Sequence, residues 1–324
     1  MKESLEDHWH DILSKAARGL QLDAATLTQK SHGNEKKARE LFEGMCHPAT
    51  LATVAPALHL DGNALLAIAA DHYHPGPIIM PRNFKRFTSS YHGMQVNSYL
   101  LWSEENKKAV AFDTGADMTP LLKTLEQHQL KLDLILLTHG HSDHVCQLEN
   151  LIATTGAPAW INEADLISHA QPFSFPRARP LLKLADASKV PGDSGAQTRS
   201  VQNVLEDAST GATQQFAAAV EFGKRSNWTL DNTITIEARP TPGHSPGGTT
   251  YVVRGMSSEI AVVGDALFAG SVGGIPPSSY EAALKAIRKN ILSLPDDTIL
   301  SPGHGPLTTV GDEKAHNPFF ARAK

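Results

Sequence analysis

Apolar side chains near the start of the chain recur at steps of three and four. Leu5, Trp9, Ile12, Leu13, Ala16 and Leu20 define one stripe, which predicts an amphipathic helix. Shorter helices are predicted over Ala24 to Gln29, Glu35 to Glu43, Pro48 to Leu58 and Asn63 to Ala70. Glycine, proline and polar residues at His32-Gly33-Asn34, at Gly44 to His47 and at Asp61-Gly62 separate them. From Phe84 the pattern changes. Phe84 to His92, Val96 to Trp102 and Lys108 to Asp113 read as strands, Met118 to His128 as a helix, and Leu132 to Leu137 as a buried strand. A helix is predicted from Asp143 through Leu151, a strand over Pro158 to Ile161 and a helix over Glu163 to Ala170. Later strands are expected at Thr233 to Ala238, Glu259 to Val263 and Thr298 to Leu300.

This succession predicts a small all-helical module over residues 1–75 and a linker over 76–83, where Pro77 and Pro81 follow Pro75-Gly76. An α/β domain over 84–324 follows, and alternating elements succeeded by a strand-rich half fit two sheets sandwiched between helices. Residues 171–232 interrupt the pattern. Pro172 to Pro180 carries Arg177 and Arg179, and Ser188 to Thr213 is polar without periodicity, so an insertion is expected there. Phe173, Phe175, Phe216, Phe222 and Trp228 read as a satellite core or as the lining of a substrate entrance.

The helical module resembles a helix-turn-helix of the lambda-repressor type in pattern, with no diagnostic residue. Its charge argues against nucleic acid. Residues 1–80 hold seven Lys or Arg against ten Asp or Glu, where phosphate contacts need an excess of cations. A packing role, or a homo-oligomer formed through these helices, is the expectation. The net charge of −5 gives no global attraction to nucleic acid or an anionic membrane. Cys46 and Cys146, the two cysteines, argue against a disulfide framework. With an acidic N-terminal stretch and no apolar run long enough to span a bilayer, a cytoplasmic protein acting on a small molecule is expected.

The chemistry is concentrated in Thr138-His139-Gly140-His141-Ser142-Asp143-His144, which directly follows the apolar strand. Imidazoles at an i, i+2 spacing leave the strand end in a loop where side chains converge, and neutral imidazole with carboxylate suits Zn²⁺. Three downstream segments pair a candidate ligand with glycine after a strand: Pro242-Gly243-His244, Gly264-Asp265 and Gly303-His304-Gly305. Of sixteen histidines, five stand in these motifs, and the remainder show no such order.

These four ordered motifs resemble the metallo-β-lactamase-fold hydrolases. Within them the chain is most similar to the glyoxalase II (hydroxyacylglutathione hydrolase)-like branch, from about Arg86 to the C-terminus. The resemblance implies an αββα sandwich with metals at one edge of the two sheets. It implies two divalent cations, zinc first, with iron and manganese as alternatives. His139, His141 and His244 would hold one cation, Asp143, His144 and His304 the other, with Asp265 bridging. It further implies a hydroxide shared by the metals that cleaves an acyl thioester or related ester, oriented by Asp143 as the catalytic carboxylate. His141 stands where the flavodiiron branch carries glutamate, which favours hydrolysis over oxygen reduction. Asp113, in Phe112-Asp113-Thr114-Gly115, is expected either to hold a ligand imidazole or to cap a local turn.

One departure concerns the substrate. Glyoxalase II carries basic residues after the bridging aspartate, whereas Val272-Gly273-Gly274-Ile275 carries none. Two alternatives stay open: a persulfide dioxygenase-like mononuclear iron enzyme, and a DNA-binding regulator using the metal domain as a sensor.

Overall fold

The computed structural model describes residues 3–31, 34–168 and 227–321. The expected insertion lies outside the described residues up to position 226. By internal packing the chain divides into two units, Met1–Arg82 with Arg225–Lys324, and Asn83–Lys224.

The first unit opens with five short α-helices, α1 (Trp9–Gly19), α2 (Ala24–Ser31), α3 (Glu35–Phe42), α4 (Pro48–Val54) and α5 (Gly62–Ala69). Local chemistry sets their starts. The Asp11 carboxylate reaches back to the His8 N–H at 3.0 Å, Asn34 caps α3, Pro48 opens α4, and Asp61 accepts from Ala64 N at 2.8 Å. The stripe of α1 is buried as its spacing predicts, at Trp9, Ile12, Leu13 and Ala16.

In the unit Asn83–Lys224, strands β1 (Phe84–Tyr91), β2 (Met94–Trp102), β3 (Lys108–Phe112), β4 (Lys131–Leu136) and β5 (Ala159–Trp160) form a sheet in sequence order. The pairs β1–β2 and β2–β3 are antiparallel, while β3–β4 and β4–β5 are parallel. Helix α6 (Thr119–Gln127) makes the β3-to-β4 connection. The carboxyl ends of β3 and β4 therefore lie side by side, and Asp113 meets the histidine-rich loop there. The helix expected from Asp143 to Leu151 is two, α7 (Ser142–Val145) and α8 (Leu148–Thr155), and α9 (Glu163–Ser168) follows β5.

The remaining strands belong to the first unit: β6 (Asn227–Thr229), β7 (Thr235–Pro240), β8 (Thr249–Arg254), β9 (Ile260–Gly264), β10 (Ile299–Pro302) and β11 (Thr308–Thr309). Their order is β11-β10-β9-β8-β7-β6. Strand β6 occupies the end of the expected insertion, and Trp228 packs edge-on against Tyr251 at 6.1 Å. Because β8 is antiparallel to both β7 and β9, and β10 is parallel to β9, strands β7, β9 and β10 run the same way. Their carboxyl ends share one sheet edge. Each is followed by a candidate ligand: His244, Asp265 and His304 respectively. Topology thus gathers residues separated by sixty positions in sequence.

Helices α10 (Tyr280–Asn290) and α11 (Val310–His316) complete this unit. One core joins Ile12, Leu13 and Ala16 of α1, Leu51 and Leu65 of α4 and α5, Val252, Ala261, Val263 and Leu300 of the sheet, and Tyr280 and Ile287 of α10. Each fully buried leucine there contributes roughly 2 kcal/mol. A Cβ on Gly19 would stand 2.2 Å from the Tyr280 ring, so the end of α1 lies flat on that aromatic. No helix among the described residues is long and apolar enough to cross a membrane.

Candidate metal centre

Within Asn83–Lys224 the loop after β4 brings His139, His141, Asp143 and His144 together. The His139 ring lies 4.6 Å from that of His141 and 4.1 Å from that of His144, and Asp143 Oδ2 lies 3.5 Å from His144 Nε2. His139, Asp143 and His144 are buried, and His141 is half-buried. Asp113 organises the group. Its Oδ1 accepts from Thr138 N at 2.7 Å, and its Oδ2 accepts from Thr138 Oγ1 at 2.8 Å and from His144 Nδ1 at 2.9 Å. Thr138 Oγ1 gives its one proton to Asp113, so at 3.0 Å it accepts from His139 Nδ1. Both imidazoles are thereby held with Nδ1 protonated, which makes Nε2 the nitrogen that carries the lone pair.

Two further residues fix the same loop, Asp165, with no motif to mark it, and Thr114 of the turn after β3. Asp165 of α9 is fully buried and accepts from Gly140 N at 3.1 Å. Thr114 donates to the His144 carbonyl through its backbone N at 2.8 Å and its hydroxyl at 2.9 Å. Cys146 Sγ donates to Gly115 O at 3.3 Å, and burial, followed by the Asp143 charge, pushes its thiol up to about 11. It is a packed thiol rather than a nucleophile.

Within the other unit the sheet edge brings His244, Asp265 and His304 together. Asp265 Oδ2 lies 3.3 Å from His244 Nε2 and 3.5 Å from His304 Nε2. His244 Nδ1 donates to the Gly274 carbonyl at 2.9 Å, so its Nε2 is the ring nitrogen that carries the lone pair. The His304 ring is met edge-on by Phe268 at 5.6 Å. Gly273 has no room for a side chain, because a Cβ there would stand 2.0 Å from the Asp265 carbonyl oxygen and 2.9 Å from His244 Nδ1. The segment from Asp265 to Gly274 therefore folds back onto its own first residue.

The ligand separations carry chemical information. Two donor atoms each about 2.1 Å from one tetrahedral ion stand roughly 3.4 Å apart. The nitrogen–oxygen distances of 3.3, 3.5 and 3.5 Å fit that spacing, whereas a charge-assisted hydrogen bond would be near 2.8 Å. The donor set, imidazole Nε2 and carboxylate oxygen, suits Zn²⁺ and also Fe²⁺ or Mn²⁺.

Of the histidines outside the motifs, His74 Nε2 stands 2.9 Å from Asp71, while Tyr73 between His72 and His74 is buried and donates to Glu313 at 3.3 Å. Tyr280 is buried in the core.

The chain belongs to the metallo-beta-lactamase superfamily, whose family model matches residues 92–304. The architecture described above, mixed α/β with two sheets and a helical N-terminal region, is a metallo-β-lactamase fold, and a metal-dependent hydrolase is the class it defines. The chain is similar to hydroxyacylglutathione hydrolase GloC of Haemophilus influenzae, 32% identical over 235 residues covering 70% of this chain and 93% of that protein. It is also 29% identical over 226 residues to a Streptococcus pyogenes protein named "Probable metallo-hydrolase M6_Spy0554", covering 69% of this chain and 85% of the other. Among solved structures, the BLEG-1 B3 metallo-beta-lactamase aligns over 74% of this chain and 100% of its own, at 28% identity and a TM-score of 0.50. The family match begins at residue 92, so α1–α5 lie outside it.

Proposed function

We infer that the two ligand sets serve one dinuclear centre, and that the protein is a metal-dependent hydrolase of acyl thioesters or related esters. In this reading His139, His141 and His244 hold one cation, Asp143, His144 and His304 the other, and Asp265 bridges. The observation that carries it is the position of Asp265 Oδ2, at metal-ligand spacing from two imidazoles at once. The GloC similarity supports a thioester as the substrate.

A pair of bound divalent cations would supply Lewis acidity, lowering the pKa of water and polarising a carbonyl. The chain's own residues do the rest. Asp113 and the Gly274 carbonyl keep His144, His139 and His244 in the tautomer that presents Nε2, so no proton must be lost when a cation enters. Asp143 and Asp265 add two negative charges that retain divalent cations. The Asp143 carboxylate would orient the attacking hydroxide by accepting a hydrogen bond from it. His139 and His144 in one unit and Asp265 in the other are each buried, and withdrawal from water strengthens a side chain's electrostatic contact with developing charge.

Elemental analysis of the purified protein, coupled to a screen of thioesters, oxygen esters, lactones and phosphodiesters, tests this. Two equivalents of zinc, iron or manganese per chain with thioesters hydrolysed fastest is the expected result. One iron per chain, with oxygen consumed on a persulfide and no hydrolysis, overturns it.

A further inference from the structure

The segment from Asp265 to Gly274 carries the proposed bridging ligand at one end and the carbonyl that orients His244 at the other, yet it contains Gly270, Gly273 and Gly274. The glycines widen the paths open to the backbone, and its course is set by a turn of its own, where Phe268 and Ser271 exchange backbone hydrogen bonds at 3.1 and 3.0 Å, and by contacts from outside. On one side it is held by α11 and the residue just beyond. Glu313 accepts from Gly270 N at 3.1 Å, and Asn317 Nδ2 donates to Ser271 O at 2.9 Å.

On the other side it is held by the N-terminal module. Lys15 of α1 donates to the Val272 carbonyl at 2.7 Å and is paired with Asp7. Asp7 also accepts from Ser271 Oγ at 2.5 Å. The same ammonium lies 5.1 Å over the Phe268 ring, whose edge meets His304. Side chains of both Lys15 and Asp7 are largely buried, 15% and 12% exposed. An ion pair so withdrawn from water contributes little net stability compared with apolar packing, since desolvation offsets the Coulomb gain. Its geometrical consequence is plainer. It fixes Ser271 and Val272, directly before the Gly273-Gly274 pair that touches Asp265 and His244.

We propose that Lys15, held by Asp7, is a positioning residue for His244, so that the N-terminal helical module is a working part of the metal centre. The contact chain runs from Lys15 Nζ through the Val272 carbonyl and the Gly273–Gly274 backbone to His244 Nδ1. This inference rests on the reading of His244 as a ligand, although every contact in it lies within one packed unit of the chain.

The test uses the full-length protein stripped of metal and titrated with Zn²⁺ against a chromophoric chelator, and separately with Co²⁺ followed by its visible spectrum. Lys15→Met keeps the unbranched apolar stem of the side chain but removes the terminal ammonium, and with it the charge and donor. It is expected to weaken one of the two metal equivalents by about 10-fold or more, with an altered Co²⁺ spectrum, and to weaken the other less. Lys15→Arg is expected to restore most of the loss, which a general packing defect would not allow. Should Lys15→Met fail to fold, Asp7→Asn carries the same test, because the amide oxygen still accepts from Ser271 while the charge on Lys15 loses its partner. Wild-type binding of both equivalents with an unchanged spectrum in the folded variant overturns the proposal. Failure of the wild-type protein itself to bind two cations sinks the dinuclear reading instead, and this inference with it.

Discussion

Asp113 Oδ2 and His144 Nδ1 lie 2.9 Å apart, and the same carboxylate also holds His139 through Thr138. One buried side chain thus orients two of the proposed ligands. Asp113 has φ 56°, a left-handed conformation uncommon outside glycine but better tolerated by aspartate. That turn at the end of β3 aims its carboxylate at the loop after β4.

Replacing Asp113 by Asn places an amide N–H₂ against a group of donors, so one of the three bonds must be lost. We expect Asp113→Asn to weaken metal binding by about 10- to 100-fold while the fold persists. Competition against a calibrated chelator measures this directly. Wild-type affinity in that variant would mean that Asp113 only caps its turn.

His139→Ala removes a proposed ligand from the first cation. Turnover is expected to fall below detection and metal content to drop by at least one equivalent per chain. The fold should survive, because the lost side chain makes one hydrogen bond to Thr138 and a loss of about 1–2 kcal/mol is typical of such a change. Full activity at reduced metal content would refute the assignment of His139.

Much of this arrangement was legible in the residues. His139-Gly140-His141-Ser142-Asp143-His144 follows an apolar strand because β4 is a parallel strand flanked by β3 and β5, where alternation gives way to continuous burial. The glycine-flanked candidates His244, Asp265 and His304 stand out in the sequence for a related reason, since each follows a strand end. Strand β8, Thr249 to Arg254, escaped notice because its buried threonines adjoin Gly247-Gly248 and read as the tail of a loop. The break between α7 and α8 at Cys146-Gln147 carries neither glycine nor proline. Asp165, Lys15 and Asp7 act through contacts 25, 257 and 264 residues distant in sequence, which no local spacing encodes.

Glu313 gives a pH dependence with a definite sign. It is fully buried and accepts from Thr308 Oγ1 at 2.7 Å, Asn317 Nδ2 at 2.7 Å, Gly270 N and Tyr73 Oη. Burial outweighs those four donors and pushes its carboxyl from 4.5 up to about 7. The folded state therefore favours the protonated acid. This contribution to stability is complete below pH 4.5 and is lost as pH rises through about 7, amounting to about 3 kcal/mol. In denaturant titrations, Glu313→Gln should flatten that fall between pH 5 and 8. An unchanged pH profile in the variant would show that Glu313 is already ionised in the folded protein.

The paired glycines at 273 and 274 offer a sharp contrast, because one position should suffer from a substitution that its neighbour tolerates. An alanine Cβ at 273 would stand 2.0 Å from the Asp265 carbonyl oxygen, a backbone atom that no rotamer change can move aside. Either Asp265 shifts or the segment opens and withdraws the Gly274 carbonyl from His244. Both routes disturb proposed ligands, so Gly273→Ala should lose metal and about 1–3 kcal/mol of stability, the usual penalty for forcing an extra carbon into a packed site. At 274 the nearest atom to a new Cβ is the tip of Arg18, 3.7 Å away, in ordinary contact and on an exposed, flexible side chain. Gly274→Ala should therefore fold and bind metal as the wild type does. Thermal melts and metal content of the two variants, measured side by side, decide the matter. Equal behaviour at both positions would show that the Asp265–Gly274 segment does not close upon itself as described.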